Sequence, residues 1–137
     1  MKKLSVAEIQ AEQTLAIRQQ VLWPSKALSE LKVAGDDTAW HLGGFSDGQL
    51  SCVASFYFSD HEVRLRKFAT LDTFRGQGLG SVVLEHALAQ FKQRGVALFW
   101  CDARESAIGF YQRFGLTVEG ERFYKGEIPY FKMILKL

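Results

Sequence analysis

The turn Arg75-Gly76-Gln77-Gly78-Leu79-Gly80 constrains this chain more than any other stretch. It sets three glycines at alternate positions between a strand-like run and a long amphipathic helix. Glycine has no Cβ, so a ligand can approach the bare backbone N–H groups of such a turn closely. The first turn of the helix adds N–H groups without intrahelical partners, and the helix dipole adds partial positive charge at the same end. An anion, and a phosphate in particular, suits that position. The helix spans Ser81 to Arg94, where Val82, Val83, Ala87, Leu88 and Phe91 form one apolar stripe and Gly95 is placed as a left-handed cap.

Strands flank this unit. Val63 to Leu71 alternates apolar residues with Arg64, Arg66 and Thr70, and Val96 to Cys101 is a nearly unbroken apolar run of the kind covered on both faces. Together with the helix they predict a parallel strand pair joined by a right-handed crossover. Upstream, Ala39 to Phe45 and Gln49 to Phe58 predict a hairpin around Ser46-Asp47-Gly48, and Asp60-His61 turns the chain into the next strand. Ala7 to Trp23 reads as a helix ended by Pro24, and Pro24 to Thr38 as a loop with a short helical turn. Downstream, Ser106 to Phe114 predicts a short helix stopped by Gly115, followed by strands over Thr117 to Tyr124 and Tyr130 to Leu135. No repeat or low-complexity linker divides residues 1–137, so the expectation is one α+β domain.

Composition narrows the function. With 47% apolar and 23% charged residues and a formal charge of +2, the chain reads as an ordinary soluble globular protein. Its basic residues are scattered along the sequence, which argues against nucleic-acid or membrane partners. Cys52 and Cys101 have no partner at metal-ligand spacing, so the expectation is two buried thiols and no metal. The segment after Lys2 and Lys3 has no apolar core of a signal peptide, and no stretch has transmembrane length. A cytoplasmic protein is expected.

Two motifs in register then carry a resemblance. The turn from Arg75 to Gly80 fits the Arg/Gln-x-x-Gly-x-Gly/Ala signature of the GNAT superfamily of acyl-CoA-dependent N-acyltransferases. Ala107-Ile108-Gly109-Phe110-Tyr111 with Phe114-Gly115-Leu116 resembles that family's second signature, and the segments Glu119 to Phe123 and Ile128 to Met133 resemble its C-terminal strands. The resemblance implies a mixed, mainly antiparallel sheet with a parallel, splayed strand pair at the acyl-CoA site, flanked by helices. It further implies transfer of an acetyl group from acetyl-CoA to a primary amine on a small molecule or peptide. The pyrophosphate would be held by Arg75, Gly76, Gln77, Gly78, Leu79 and Gly80, with Ser81 nearby. The pantetheine arm would run along Phe68, Ala69 and Thr70, and Tyr111 would protonate the departing thiolate.

The chain departs from the family pattern twice. Arg104 stands where many relatives carry a cofactor-binding Asn and would reach a CoA phosphate or amide in its place, and Val63 to Leu71 holds no carboxylate to serve as general base. Glu62, Asp102, His41 or a water chain are the candidates for that role. Arg64 and Arg66 read as a solvated strand face, and Trp40 and Trp100 as core. Two other ligands fit less well. A dinucleotide fold would place its third glycine at Ser81, and no Gly-Lys-Ser/Thr occurs for a P-loop. A non-catalytic acyl-CoA sensor of the same fold remains as the alternative function, and a monomer or a homodimer as the assembly.

Overall fold

The computed structural model describes residues 2–137. Its strands are β1 (Leu4–Ile9), β2 (Trp40–Ser46), β3 (Gln49–Ser59), β4 (Glu62–Thr70), β5 (Leu98–Arg104), β6 (Thr117–Lys125) and β7 (Ile128–Lys136), and its α-helices are α1 (Ala11–Ile17), α2 (Leu79–Gln93) and α3 (Ile108–Gln112). The strands form one mixed sheet in the order β1-β2-β3-β4-β5-β7-β6, antiparallel except for β4 against β5. The expected α+β architecture is therefore observed, with helices on both faces.

The two-residue period decides which face each side chain serves. Cys52, Ala54 and Phe56 of β3 point to the α2 face and join Val83, Leu84, Ala87 and Phe91 in the main core. Val53 points the other way and meets Ile9, Ile17 and Ala69 beneath α1. Two glycines in β2 set the spacing of these layers. A Cβ on Gly44 would lie 2.7 Å from Val83 Cγ2 and 3.1 Å from Leu79 Cδ1, so its absence lets the first turns of α2 settle onto the sheet.

The turns follow their residue chemistry. Asp47 and Gly48 both take positive φ (48° and 82°), the pattern of a tight two-residue hairpin, and Gly95 caps α2 at φ 74° with Val96 N–H donating to Phe91 O at 3.1 Å.

Three expectations need correction. Ala7 to Ile9 is strand rather than helix, because β1 pairs with β2 and places Leu4 and Val6 on the main core and Ile9 on the opposite face. The helix that follows ends in one π-type turn, Arg18–Leu22, which carries Val21 and Leu22 toward β4. β5 runs on to Arg104 and is fully covered on one face only: Phe99, Cys101 and Ala103 are buried, whereas Trp100 and Asp102 lie on a half-open face. Arg64 and Lys132 stack on the Trp100 ring at 4.5 Å and 4.7 Å, so Trp100 is a platform for cations rather than core.

Candidate active site

The glycine turn and the helix start form where the sequence places them. Gly78 is the N-cap of α2 at φ 81°, Gly76 stands at φ 79°, and no side chain caps the helix. The first intrahelical bond runs from Val82 N–H to Gly78 O at 3.0 Å, so the N–H groups of Leu79, Gly80 and Ser81 have no partner within the helix. A Cβ at Gly76 or Gly78 would meet nothing within 4 Å, so the left-handed backbone alone calls for glycine there. Gly80 serves a different purpose: a Cβ there would lie 3.2 Å from the Phe68 ring, which packs on the helix start. The Arg75 side chain pairs with Asp72 at 3.2 Å, and the Gln77 side chain turns away to accept a hydrogen bond from Ser46 Oγ at 3.2 Å.

Beside the cradle the sheet opens. β4 and β5 pair only from Glu62 to Arg64 against Leu98 to Trp100, after which β5 keeps β7 as its partner and β4 keeps β3. A bulge in β4 sharpens the divergence: Lys67 adopts φ 54°, and the register passes from Arg66 to Ala69 while β3 advances from Ser55 to Val53. The gap continues into a groove of about 590 Å³ that joins Phe68, Ala69 and Thr70, the turn from Arg75 to Ser81 without Gln77, and Arg104, Phe110, Tyr111 and Arg113. That volume suits a small-molecule ligand.

Tyr111 lines both this groove and the cavity beside it. It is 8% exposed and packs edge-on against Phe110 at 5.1 Å between ring centroids. Burial, reinforced by the neighbouring Cys101 thiol, raises the Tyr111 hydroxyl well above the ordinary tyrosine range. The hydroxyl therefore stays protonated at neutral pH and can donate a hydrogen bond to a developing anion. Burial pushes the Cys101 thiol up to about 12 and the Cys52 thiol up to about 11, which makes both inert as nucleophiles.

A second cavity of about 280 Å³ lies across the gap and shares Leu22, Phe68, Arg104, Ala107 and Tyr111 with the groove. Of the three side-chain candidates for general base, Asp102 alone lines it. Its carboxylate lies 2.9 Å from Arg64 and 3.6 Å from Lys125. Glu62 sits at the opposite, paired end of β4. His41 is 4% exposed, with Nδ1 2.7 Å from Ser55 Oγ and Nε2 2.9 Å from the Asp36 carbonyl, so it belongs to a buried polar network. The centre of that network is Arg18, 1% exposed, which donates to Asp36, Ser55 and the Leu31 carbonyl. Burial works to raise the Asp36 carboxyl, but hydrogen bonds from Arg18, Tyr57 and Val33 outweigh it and hold the group well below the usual carboxylate range.

Sequence reasoning missed Val21, Leu22, Phe74 and Arg113 in the groove, and Arg66 and Lys67 in the second cavity. Phe110 was within reach, since it lies inside the second signature. The cations were not, because basic residues scattered along the sequence converge only once β4 and the β6–β7 turn face one another. Among the described residues no group of three acidic, His or Cys side chains is placed to hold a metal ion.

The chain matches the sequence profile of the Acetyltransferase (GNAT) family over residues 5–116. It is 35% identical over 129 residues to the uncharacterized N-acetyltransferase YitI of Bacillus subtilis, a match covering 88% of this chain and 87% of that protein. Its backbone superposes on an IAA acetyltransferase from Bacillus cereus with a TM-score of 0.80 at 14% identity, covering 98% of this chain and 100% of that one. A GNAT family acetyltransferase from Elizabethkingia anophelis with acetyl-CoA bound gives a TM-score of 0.75 at 14% identity, with 98% of each chain covered. At these identities the structural likeness is one of fold.

Proposed function

The chain belongs to the acetyltransferase (GNAT) family, and from that membership we propose that it is an acetyl-CoA-dependent N-acetyltransferase acting on a primary amine of a small-molecule or peptide acceptor. The observation that carries this reading is the continuity of one groove from the uncapped start of α2 to Tyr111 across the gap between β4 and β5. The fit is chemical at both ends. Free N–H groups and two left-handed glycines suit a pyrophosphate, and a strand edge without a β5 partner over Phe68 to Thr70 suits an amide-bearing arm.

Acetyl-CoA would supply an activated acyl carbon. In the exchange the acceptor nitrogen bonds to that carbon, the carbon–sulfur bond breaks, the nitrogen gives up one proton and the sulfur takes one. Tyr111 donates to the sulfur as its charge develops, because burial keeps its proton in place. Arg104, three residues before the second signature, and Arg113, within it, flank the groove and add positive charge for the cofactor phosphates. Asp102 is engaged by Arg64 and Lys125, so its role in this reading is to fix those cations, and the amine proton leaves through the open second cavity to solvent. The proposed unit is a single acetyltransferase domain, active in the cytoplasm as a monomer or homodimer.

The test is ligand-dependent thermal stability. A ligand that binds only the folded state at one hundred times its Kd adds about 2.7 kcal/mol. Acetyl-CoA should raise Tm by several degrees and NAD should leave it unchanged. A shift with NAD and none with acetyl-CoA would reject the reading and restore the dinucleotide alternative.

A further inference from the structure

Resting on the acetyltransferase reading for its second substrate, we propose that the acceptor is a primary amine that also carries an anionic group, a carboxylate or a phosphate, docked on Arg66, Lys67 and Lys125. The cavity on the acceptor side of Tyr111 is lined by Arg64, Arg66, Lys67, Arg104 and Lys125, and by Asp102 as its one carboxylate. Asp102 is already taken up by Arg64 and Lys125. Arg66 and Lys67 form no ion pair among the described residues. An adjoining cavity of about 300 Å³ shares Arg66 and Lys67 and adds Lys26 and Lys32 against Glu30, while the charge of its Arg18 is answered by Asp36. In a chain whose formal charge is only +2, this is a local concentration of positive field.

The field has two effects on a bound amine. It repels the ammonium form and so favours the neutral nitrogen that attack requires. The Lys67 amine reports the same environment: burial first, then the charges of Arg66, Arg18, Lys125 and Lys26, lower its affinity for a proton. A pocket of this kind deprotonates its acceptor by field rather than by a dedicated carboxylate, which accounts for the absence of an acidic residue on β4 past Glu62. The second effect is selection. A polyamine would be repelled, whereas a carboxylate or phosphate on the same molecule gains charge-assisted hydrogen bonds from guanidinium and ammonium donors. The cofactor phosphates do not account for Arg66, Lys67 and Lys125, since none of the three lines the groove that carries the cradle, whereas Arg104 lines both cavities. At about 280 Å³ the space suits a metabolite-sized acceptor.

The experiment has two arms. In the first, CoA release from acetyl-CoA is measured with β-alanine, β-alaninamide, L-alanine, L-alaninamide, 2-aminoethyl phosphate and 1,3-diaminopropane. The better anionic amine should show kcat/KM at least tenfold above both amides and above the diamine, and the carboxylate and phosphate members separate the two sources of charge. Arg66→Glu and Lys125→Glu should each erase that preference by tenfold or more while acetyl-CoA affinity stays put. Lys125 is half-exposed, so its variant keeps the test alive should Arg66→Glu fail to fold. In the second arm, inorganic phosphate and β-alanine are titrated calorimetrically into the CoA-saturated protein, and binding should weaken at least tenfold in the same variants. Amides or the diamine used as well as the anions would overturn the inference and leave the acetyltransferase reading standing. Anion binding that depends on Arg66 with no amine turned over would uphold the anionic site and overturn acetyl transfer. Absence of anion binding in the wild type would overturn the site itself.

Discussion

Replacing Tyr111 by Phe removes one oxygen from a side chain that is 8% exposed and keeps its ring against Phe110. Two costs follow, and they separate. The first is to stability: the hydroxyl loses its neighbour Cys101, a contact of the size of one intramolecular hydrogen bond, about 1 kcal/mol. The second is to rate. General acids contribute roughly 10²–10⁴-fold. A thiolate can also leave unaided at neutral pH, which places the effect at the low end. A fall in kcat of about a hundredfold, about 2.7 kcal/mol in activation free energy, is expected, with the acetyl-CoA Kd unchanged. The assay is thiol release at saturating acetyl-CoA, run beside urea unfolding of both proteins. Because burial keeps the hydroxyl protonated, wild-type kcat should also show no decline from Tyr111 ionisation up to pH 9. A well-folded Tyr111→Phe with wild-type kcat would refute the reasoning and leave Tyr111 a packing aromatic.

Gly78→Val should lower acetyl-CoA affinity at least tenfold by calorimetry, yet cost stability only about 1–3 kcal/mol, since the strain is in a left-handed backbone and no neighbour lies within 4 Å of the new Cβ; unaltered affinity would remove the phosphate cradle. Gly44→Ala should destabilise by about 1–3 kcal/mol in urea through contact with Val83 and Leu79, and because that shifts the start of α2 it should weaken acetyl-CoA binding as well. Asp36→Ala should cost about 3–5 kcal/mol at pH 7, since it leaves the Arg18 guanidinium buried and unpaired. As the Asp36 carboxyl is depressed in the fold, its contribution is fully present above the unfolded carboxylate range near pH 3.9 and fades as pH falls through the depressed folded value. The wild type should therefore lose more stability than Asp36→Ala between pH 5 and pH 2, and parallel curves would contradict this.

Much of the geometry of the candidate site was legible because its logic is local. A turn that bares backbone donors must use glycine, and the helix it opens must show an apolar stripe, so Gly76 to Phe91 declares itself in sequence. Tyr111 and Phe110 were reachable through the second signature for the same reason. What stayed hidden depends on partners far along the chain. Ala7 to Ile9 has a spacing compatible with helix or strand, and pairing with β2 settles it. The bulge at Lys67 is invisible in a sequence that simply alternates, since it follows from an offset against β3. Arg66 and Lys67 look like solvated surface until the separation of β4 from β5 makes them, with Lys125, the walls of one cavity. The pairing of Arg18 with Asp36, 18 residues apart, is likewise set only when the loop before β2 folds over the sheet.

The most direct test of the central claim follows both products at once. The protein is incubated with acetyl-CoA and the amine panel, free thiol is read by absorbance, and the acceptor is read by mass spectrometry. Free CoA and N-acetylated amine should form in equal amounts, at a rate that drops about a hundredfold in Tyr111→Phe. Thermal stabilisation by acetyl-CoA, with thiol release no faster than in buffer for every amine, would contradict this and make the protein an acyl-CoA sensor.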